Sequence, residues 1–477
     1  MFQSVIIITT IISLIVSIIP QQVELGYHYL WVHPFIFLWV FSLILIPLIK
    51  IGQYRITVYS FIVIAWFRFT LIPLGSALTG IYNGVPYIYV GSDSIFNAIL
   101  LVVYELLVTS SFLFILVIIN KRKGQMTKGK YKNVNLILTG NKNIYALFIL
   151  LAIVLYVAIG RNMNLIQLFI ISAESKQRIG DLESTGLILI RQIIITSLIF
   201  VFVWIVSYCK KMYDVTGKKR YVYYAIIIAI FNIGVIVGER RTSQLYTALI
   251  VMFILVHVFE NYRKRIISIV SLAAMLVLLF MSVYKHYSAF AYGSYYSALD
   301  SSSFDLEFIT TNLQSYFFGT QNVATVFELS KHKDISIINM IYDFGRSVFG
   351  LNFFLKDKME MTPEIFNTFI YGYKVSTGHI MSGIGYGYLY LGTILSPLFV
   401  CLNIFISTKL EWWFNKANSI EIKYIVGYIL IRFSTNIFAT TPPLISFATI
   451  FLFTAGLLYF LALIFKKSKK SNIISNN

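Results

Sequence analysis

The stretch IFNAILLVVYELLVTSSFLFILVII, residues 95–119, decides what kind of protein this is. Its 25 residues include one charged side chain, Glu105, and as a helix they would extend about 37 Å. The hydrocarbon core of a bilayer is roughly 30 Å thick. The whole chain has the same character, since 58% of its residues are hydrophobic, 12% are charged and the mean hydropathy is +0.77. This composition excludes a soluble domain and indicates an integral membrane protein.

Apolar runs of similar length recur along the chain and predict an all-α, polytopic membrane bundle. The first run has no basic segment before it and no small-residue cleavage pattern, so we interpret it as a retained span. We predict about twelve transmembrane helices, at residues 4–20, 30–49, 55–75, 94–119, 143–160, 187–209, 221–238, 243–259, 266–284, 380–407, 424–439 and 443–465.

Clusters of lysine and arginine orient these spans. The net charge is +19, and the basic clusters lie on alternate connections, at residues 121–132, 210–220, 263–265 and 466–470. Basic residues accumulate in cytoplasmic loops, and all four clusters share one side of the membrane if both termini are cytoplasmic. A basic surface for nucleic acid is the alternative. These residues flank spans and are scattered, so we expect no nucleic-acid partner.

The apolar runs stop near Lys285 and resume near His379. The loop between them is rich in tyrosine and phenylalanine, which disordered chains lack. Asp305–Leu329 and Ile335–Phe349 have helical apolar spacing, and Thr362-Pro363-Glu364 is typical of a helix start. We expect short amphipathic helices over the outer mouth of the bundle. One integrated domain is thus predicted in three parts: residues 1–284 with spans one to nine, an external loop subdomain at residues 285–379, and residues 380–477 with spans ten to twelve and a cytoplasmic tail.

Arginine is distributed differently from lysine in this topology. Of 24 basic residues on the predicted cytoplasmic side five are arginine, whereas eight of the 15 external or intramembrane ones are arginine. A guanidinium group binds phosphate or carboxylate through two parallel hydrogen bonds, which lysine cannot do. This bias predicts an external ligand that carries phosphate, such as a lipid diphosphate in the outer leaflet. The eight are Arg68, Arg161, Arg178, Arg191, Arg240, Arg241, Arg346 and Arg432.

The densest arginine cluster is Gly238-Glu239-Arg240-Arg241-Thr242-Ser243, the connection between spans seven and eight. Both flanking spans are short for a bilayer, so we expect this turn to lie recessed below the membrane surface. Thr242 or Ser243 can cap the following helix, whose free backbone N–H groups and dipole favour an anion. Arg240 and Arg241 are therefore predicted to bind a diphosphate. The alternative is a tight helical hairpin whose arginines reach the lipid headgroups.

Four further arginines each have a functional and a structural interpretation. Arg68 and Arg432 lie within apolar helices, where a charge is expensive and marks a functional site or a polar partner. Arg432 shares a helix face with Asn436, which predicts a polar seam facing the bundle interior. For both arginines the alternative is a buried pair with an acidic residue or with carbonyl groups. Arg178 and Arg191 can bind sugar or phosphate, or pair with acidic residues of the nearby external segment.

The candidates for acid–base chemistry are His379, Asp343, Glu239 and Glu307. His379 stands where the loop re-enters the membrane, and histidine as a residue type titrates near neutrality, so it is the leading general base for a sugar hydroxyl. The alternative is a histidine that only satisfies local hydrogen bonds. Arg346, three residues after Asp343, can pair with it or bind phosphate.

Several common site motifs are absent from the sequence. It has no zinc-ligand spacing, Walker motif, Gly-x-Ser-x-Gly elbow or dinucleotide fingerprint. Neither Cys209 nor Cys401 is placed for a disulfide or a metal site. The Gly383-x-Gly385-x-Gly387 run is better explained by close helix packing than by nucleotide binding. We expect no cofactor and no metal.

Together, the spans, the late external loop, the Gly238–Thr242 turn and Gly387-Tyr388-Leu389-Tyr390-Leu391-Gly392 resemble bacterial Wzy-type polysaccharide repeat-unit polymerases. The Gly319-Thr320-Gln321-Asn322 stretch is also similar to such loops. Gly387 stands where relatives often carry an acidic residue. The resemblance covers most of the chain as architecture.

The resemblance implies a metal-independent membrane glycosyltransferase in the bacterial cytoplasmic membrane. Such polymerases transfer a growing O-antigen or capsular glycan from undecaprenyl diphosphate to the terminal sugar hydroxyl of another lipid-linked repeat unit, on the external face. The expected partners are these lipid-linked oligosaccharides, the bilayer and a chain-length regulator membrane protein. The implied roles are diphosphate binding for Arg240 and Arg241, with help from Arg191, Arg346 or Arg432, glycan binding for Arg178 and general-base catalysis for His379.

Two other functions fit parts of the pattern. A flippase for lipid-linked oligosaccharides would show two repeated halves and short loops on both sides. An O-antigen ligase would share the topology and differ in its acceptor. The late loop favours the polymerase over the flippase.

Overall fold

The computed structural model describes residues 2–19, 26–82, 88–122, 136–160, 166–169, 185–237, 241–290, 305–355, 358–372 and 379–474. Helices dominate these residues, which confirms the all-α class. The sheet among them consists of two short antiparallel strands, β1 (Ile166–Leu168) and β2 (Val235–Val237), with Gln167 opposite Ile236.

The α-helices are numbered in chain order. They are α1 (Phe2–Ile18), α2 (Val32–Val40), α3 (Ile46–Ile51), α4 (Arg55–Trp66), α5 (Ile72–Thr79), α6 (Ser92–Arg122), α7 (Lys142–Leu155), α8 (Thr185–Thr216), α9 (Arg220–Gly234), α10 (Arg241–Val258), α11 (Arg263–Phe290), α12 (Leu306–Tyr316), α13 (Thr320–His332), α14 (Ile337–Ser347), α15 (Leu351–Leu355), α16 (Thr362–Tyr371), α17 (Gly383–Leu395), α18 (Leu398–Lys416), α19 (Ile420–Thr435), α20 (Thr441–Phe451) and α21 (Leu457–Ile474).

Seven helical segments of the described chain are long and apolar enough to cross a membrane, or eight if the bent pair α17–α18 counts as one span. Shorter apolar helices are α1, α9 and residues 243–258 of α10. These helices indicate a multi-pass membrane protein. The seven segments are Tyr27–Ile51, Arg55–Thr79, Ser92–Arg122, Lys142–Ile159, Leu189–Thr216, Glu260–Met281 and Thr441–Lys466.

The chain forms two compact units, each assembled from three segments. Unit 1 consists of Met1–Lys132, Ser303–Trp412 and Arg432–Thr449. Unit 2 consists of Asn133–Ser302, Trp413–Ile431 and Ile450–Asn477.

Helices from the predicted loop form part of the core of unit 1. α12 packs against α5, and α13 packs against α6. Val323 and Ala324 are fully buried in the same hydrophobic core as Phe61 and Ile99. The predicted helical run Asp305–Leu329 is two helices, because Phe318 between them adopts a left-handed φ of 55°. The helices predicted near residues 335–349 and from residue 362 are confirmed as α14 and α16.

Two spans of unit 1 contain a wide π turn, at Phe41–Leu45 and Phe67–Leu71. Each turn is followed after one residue by a proline, Pro47 or Pro73. Proline lacks an N–H group and clashes with the carbonyl four residues earlier, and a wider turn relieves both problems.

The second π turn carries Arg68, whose charge is neutralised inside the core. Its Nη1 lies 2.6 Å from Glu105 Oε2, and its Nε donates to the carbonyl of Phe318 at 2.9 Å. Both charged side chains are buried. Of the two interpretations of Arg68, the structure supports the buried pair with an acidic residue.

The chain does not cross straight through the predicted tenth span. α17 and α18 meet at an angle of 108° next to Pro397. A Cβ atom on Gly387 would lie 2.0 Å from the carbonyl oxygen of Ser396, so this close approach requires glycine. The glycine run therefore serves helix packing, as predicted, and Gly387 cannot be replaced by an acidic residue in this arrangement.

Two buried glutamates bind backbone N–H groups at or just before helix starts, where the chain offers these groups no helical partner. In unit 1, Glu411 accepts hydrogen bonds from the amides of Ile56 and Thr57, both at 2.9 Å, at the beginning of α4. In unit 2, Glu421 accepts from the amides of Thr139 and Gly140, both at 2.9 Å, just before α7.

Candidate functional site

The connection between α9 and α10 is the region where the sequence places its arginine cluster. α9 ends at Gly234 because the chain becomes extended and Val235–Val237 pairs with β1. The 15 residues of α9 extend about 22 Å, which is less than the thickness of the hydrocarbon. The prediction of a short flanking helix is therefore confirmed, although the span predicted at residues 221–238 ends four residues early.

A tight contact fixes the end of α9 against β1. The amide of Phe169 donates to the carbonyl of Gly234 at 2.7 Å. A Cβ atom on Gly234 would lie 2.3 Å from the ring of Phe169, so the ring occupies the space that a side chain would need. β1 and Phe169 are thereby joined to the chain that leads into the arginine cluster. The sequence did not predict these strands.

α10 begins at Arg241, so Thr242 and Ser243 lie in its first turn. The prediction that one of them precedes and caps the helix is wrong. Instead, Gln244 Nε2 in the first turn of α10 donates to the carbonyl of Val235 at 2.9 Å. This hydrogen bond joins the two ends of the connection between α9 and α10.

A small cavity of about 40 Å³ lies against the first turns of α10. Its apolar wall comes from α8, and its polar wall comes from α9, α10 and α19. The lining residues are Ile195, Leu198, Ile199, Asn232, Val235, Ser243, Gln244, Thr247, Tyr424 and Tyr428. All of them belong to unit 2.

The hydroxyl of Tyr424 is the unusual feature of this cavity. Tyr424 is 1% exposed, and its hydroxyl is buried without a hydrogen-bond partner among the residues that the structure describes. The two other polar lining residues with side-chain amides, Asn232 and Gln244, already have hydrogen-bond partners. Asn232 Nδ2 donates to the carbonyl of Leu198 at 3.1 Å, and Gln244 Nε2 donates to the carbonyl of Val235. A buried hydroxyl without a partner is rare in native proteins and calls for an explanation, such as a bound group.

Arg191 lies on the cavity side of α8. It stands four residues before Ile195 and seven before Leu198, spacings that place all three on one helix face. Arg191 is partly exposed and has interactions of its own. The spacing thus places Arg191 on the face of α8 that lines the cavity, one turn before the first lining residue, Ile195.

The cavity has the chemistry of an anion-binding site. The first four N–H groups of a helix have no intrahelical partner, and the helix dipole adds partial positive charge at the same end. The Tyr424 hydroxyl supplies a further donor. The first turns of α10 line the cavity through Ser243, Gln244 and Thr247, whereas α19 lines it farther from its start, through Tyr424 and Tyr428. The recessed position predicted for the turn before α10 stays a prediction.

Three predicted site groups in this unit lie outside the described residues. They are Arg178, Arg240 and the side chain of Arg241. Their predicted roles at the glycan and at the diphosphate stay predictions.

In unit 1, His379 is held at the point where the chain enters α17. Its amide donates to Asn367 Oδ1 at 2.6 Å, and its carbonyl accepts from Asn367 Nδ2 at 3.0 Å. Its ring stacks on Tyr371 with 5.9 Å between ring centroids. The His379 side chain is partly exposed, so the backbone is fixed while the ring stays accessible.

Arg346 pairs with Glu364 and not with Asp343. Arg346 Nη1 lies 3.4 Å from Glu364 Oε1, and both side chains are partly exposed. Glu364 and Asn367 are three residues apart on α16, so one helix contacts both Arg346 and the His379 backbone.

Asp343 is buried and accepts hydrogen bonds from the amide of Thr362 at 3.1 Å and from the hydroxyl of Tyr386 at 2.9 Å. Burial raises the pKa of Asp343 above its usual range, although the hydrogen bonds from Thr362 and Tyr386 act in the opposite direction. Asp343 is 0% exposed and cannot contact a substrate, so its role in this structure is to join α14, α16 and α17.

Arg432 lies near the end of α19. Its guanidinium carbon stands 3.9 Å from the centroid of the Phe447 ring, a cation–π contact. Asn436, predicted to share its helix face, follows the end of α19 and donates to the carbonyl of Arg432 at 2.8 Å. The Asn436 side-chain amide therefore provides a hydrogen-bond donor for a backbone carbonyl at the end of α19.

Sequence reasoning missed Tyr424 and Asn367. The signal for Tyr424 was its spacing of four residues from Tyr428 in an apolar helix, which is more typical of a packed core. Asn367 gave no signal, because its partners are backbone groups twelve residues away.

Comparison of the chain with protein-family models, curated proteins and solved structures finds no match.

Proposed function

We propose that this protein is a polysaccharide repeat-unit polymerase of the bacterial cytoplasmic membrane. It would cross the membrane about twelve times with both termini in the cytoplasm. Its substrates would be two undecaprenyl-diphosphate-linked oligosaccharides on the external face. The proposal rests on the resemblance of the sequence and on the chemistry of the cavity at the start of α10.

The observation that carries the proposal is the small cavity at the start of α10 in unit 2. The cavity adjoins the first turns of α10 and holds the buried hydroxyl of Tyr424, which has no partner among the described residues. Arg191 lies one turn before the lining residue Ile195 on α8. A lipid diphosphate enters such a site from the membrane side, with its negative charge at the helix start. The arginines of the Gly238–Thr242 connection would complete its charge neutralisation.

The proposed reaction is one displacement at the anomeric carbon of the donor. The bond between that carbon and the diphosphate oxygen breaks, and the diphosphate leaves with the bonding electrons. Fixed donors around the leaving group stabilise the charge as it develops. The acceptor hydroxyl oxygen forms the new bond, and its proton passes to the base, for which His379 is the candidate.

The helices α12 and α13 favour the polymerase over the flippase. A flippase built from two repeated halves would have short loops on both sides of the membrane. The segment predicted as one long loop instead contains α12, which packs against α5, and α13, which contributes Val323 and Ala324 to the core of unit 1.

A gene-deletion strain complemented with variants tests the function. We expect the deletion to leave single repeat units on the surface carrier, because export and ligation persist without polymerisation. Trapped lipid-linked units on the cytoplasmic side would indicate a flippase. Long lipid-linked glycans that never reach their acceptor would indicate a ligase.

Arg240→Lys and Arg241→Ala should each abolish chain growth at unchanged protein level, since lysine and alanine lack the two-pronged phosphate contact. Arg265→Lys is the matched control, because Arg265 is exposed and its guanidinium donates to the Tyr223 hydroxyl at 3.1 Å. Glycan length on gels and immunoblots of the protein give the readout. Normal chain lengths in both site variants would refute the diphosphate role.

A further inference from the structure

The α14–α15 hairpin exposes a large apolar surface that the proposed reaction does not use. Ile337, Ile338 and Ile341 of α14 are 54%, 61% and 64% exposed. The opposite face of α14 is buried through Tyr342 and Asp343. α14 is therefore strongly two-sided, with one face in the core of unit 1 and an isoleucine face outside it.

The short helix α15 continues this surface. Leu351, Phe353 and Phe354 are 50%, 49% and 75% exposed. α15 packs on α14, and the hydroxyl of Tyr342 donates to the carbonyl of Leu355 at 2.7 Å. Six large apolar side chains on one small hairpin exceed what scattered surface residues explain, and such patches mark an interaction site.

Hydrogen bonds to a membrane-spanning helix fix the depth of the hairpin. The amide of Phe349, between α14 and α15, donates to Thr449 Oγ1 at 3.1 Å, and the same oxygen lies 3.2 Å from the carbonyl of Ser347. Thr449 belongs to the span Thr441–Lys466. The 17 residues from Thr449 to Lys466 correspond to about 25 Å of helix, against about 30 Å of hydrocarbon.

We propose that the α14–α15 hairpin is inserted into one leaflet of the bilayer, at the interface opposite Lys466, with its isoleucine and phenylalanine face in contact with phospholipid. An amphipathic helix at this depth buries its apolar face at the boundary between headgroups and acyl chains. Charged residues bracket the hairpin, since Lys333 and Asp334 precede it and Lys358 and Glu360 follow it, all exposed. The hairpin enters and leaves the lipid between these charges.

The proposal is independent of the polymerase reaction and is tested by spin labelling in phospholipid vesicles. Nitroxides are attached to Ile338→Cys, Ile341→Cys and Phe354→Cys, with Lys333→Cys and Glu360→Cys as water-exposed controls. The native Cys209 and Cys401 are buried, so unsubstituted protein measures background labelling. Collision rates with oxygen, which concentrates in lipid, and with a water-soluble nickel chelate are then compared.

We expect the ratio of oxygen to nickel collisions at positions 338, 341 and 354 to exceed that at positions 333 and 360 several-fold. Equal ratios at all five positions would place the hairpin in water and overturn the proposal. A protein partner would also overturn it. In that case the labels would be shielded from both reagents in native membranes and open to nickel in vesicles of purified protein.

Discussion

The buried hydroxyl of Tyr424 bears most directly on ligand binding at the residue scale. Leaving a hydroxyl without a partner inside a protein costs about 1–3 kcal/mol. Tyr424 nevertheless lines a cavity beside a helix start, where other donors converge. A phosphate oxygen would accept a hydrogen bond from this hydroxyl. The free energy that the unpaired hydroxyl costs in the unbound protein would then be recovered as binding free energy.

Tyr424→Phe separates binding from folding. We expect thermal stability in detergent to stay equal or rise, because the buried unpaired hydroxyl is removed. Chain growth should fall about tenfold or more, since a hydrogen bond to a charged group contributes roughly 1.5–3 kcal/mol. Glycan length in cells and thermal unfolding of the purified protein are the measurements.

Tyr145→Phe is the matched control for Tyr424→Phe. The Tyr145 hydroxyl donates to Glu421 at 3.2 Å, so its loss should lower stability, with chain growth falling only as far as the protein level does. Undiminished chain growth in Tyr424→Phe would rule out the hydroxyl as a ligand donor.

Asn367 is expected to act by positioning His379. Asn367→Ala removes both hydrogen bonds to the His379 backbone, and chain growth should fall nearly as far as in His379→Ala. The double variant should be no worse than either single one, because residues that act as one unit are not additive. Asn312→Ala, which removes a partly exposed amide that donates to the carbonyl of Phe308, is the control. Additive losses in the double variant would mean that Asn367 acts independently of His379.

Residue type and predicted topology were enough to select the arginines as candidate site residues, because a charged side chain is easily recognised in an apolar sequence. The same reasoning could not find Tyr424 or Asn367. A tyrosine in an apolar helix is typical of core packing, and only the structure shows which hydroxyl lacks a partner. Asp343 and Arg346 were predicted as a possible pair from their spacing, but Glu364 and Thr362 compete for them from a later helix.

At the scale of elements, the bent pair α17–α18 depends on glycine. The helices meet so closely that a methyl group at Gly387 would overlap the Ser396 carbonyl. The sequence predicted close packing from the glycine run, but it gave no direction for the chain after Pro397. The run of apolar residues through both helices is as compatible with one straight span as with two bent ones.

Gly387→Ala should destabilise this bend by about 1–3 kcal/mol or more, the usual cost of overpacking. We expect a lower yield of monodisperse protein in detergent and a lower unfolding temperature. Gly456→Ala is the control, because the nearest atom to its added methyl group is 3.9 Å away. Equal unfolding temperatures for the two variants would show that the bend relaxes without cost.

Helix existence was predictable from apolar runs, whereas helix ends were less so. α9 stops at Gly234 because β2 pairs with a strand almost 70 residues earlier. Three-residue strands leave no periodic signal in a sequence this apolar. The predicted loop helices α14 and α16 were found because charged residues punctuate that region and expose its helical period.

At the scale of the whole molecule, the Arg68–Glu105 pair links segments that are distant in sequence. It joins two spans and, through the carbonyl of Phe318, the connection between α12 and α13. The interleaving of the two compact units was not predictable for the same reason. It depends on contacts across hundreds of residues, which composition and periodicity do not encode.

Glu105→Ala should cost about 3–5 kcal/mol, because it leaves the buried guanidinium of Arg68 without its counter-ion. The double variant Arg68→Met with Glu105→Leu should recover much of this loss, since no buried charge remains. Thermal unfolding and the yield of folded protein report both effects. A stable Glu105→Ala variant would mean that Arg68 finds another partner or reaches water.

The contact of Glu411 with the beginning of α4 has a consequence for synthesis. The amide of Thr57 and the carboxylate that binds it are 354 residues apart. At the usual 5–20 residues per second, the ribosome makes that stretch in roughly 20 to 70 seconds. During this interval the amides of Ile56 and Thr57 lack the Glu411 carboxylate that binds them in the finished protein. The hydrogen bonds that complete the start of α4 therefore form only late in translation. A chain released before residue 411 cannot form them.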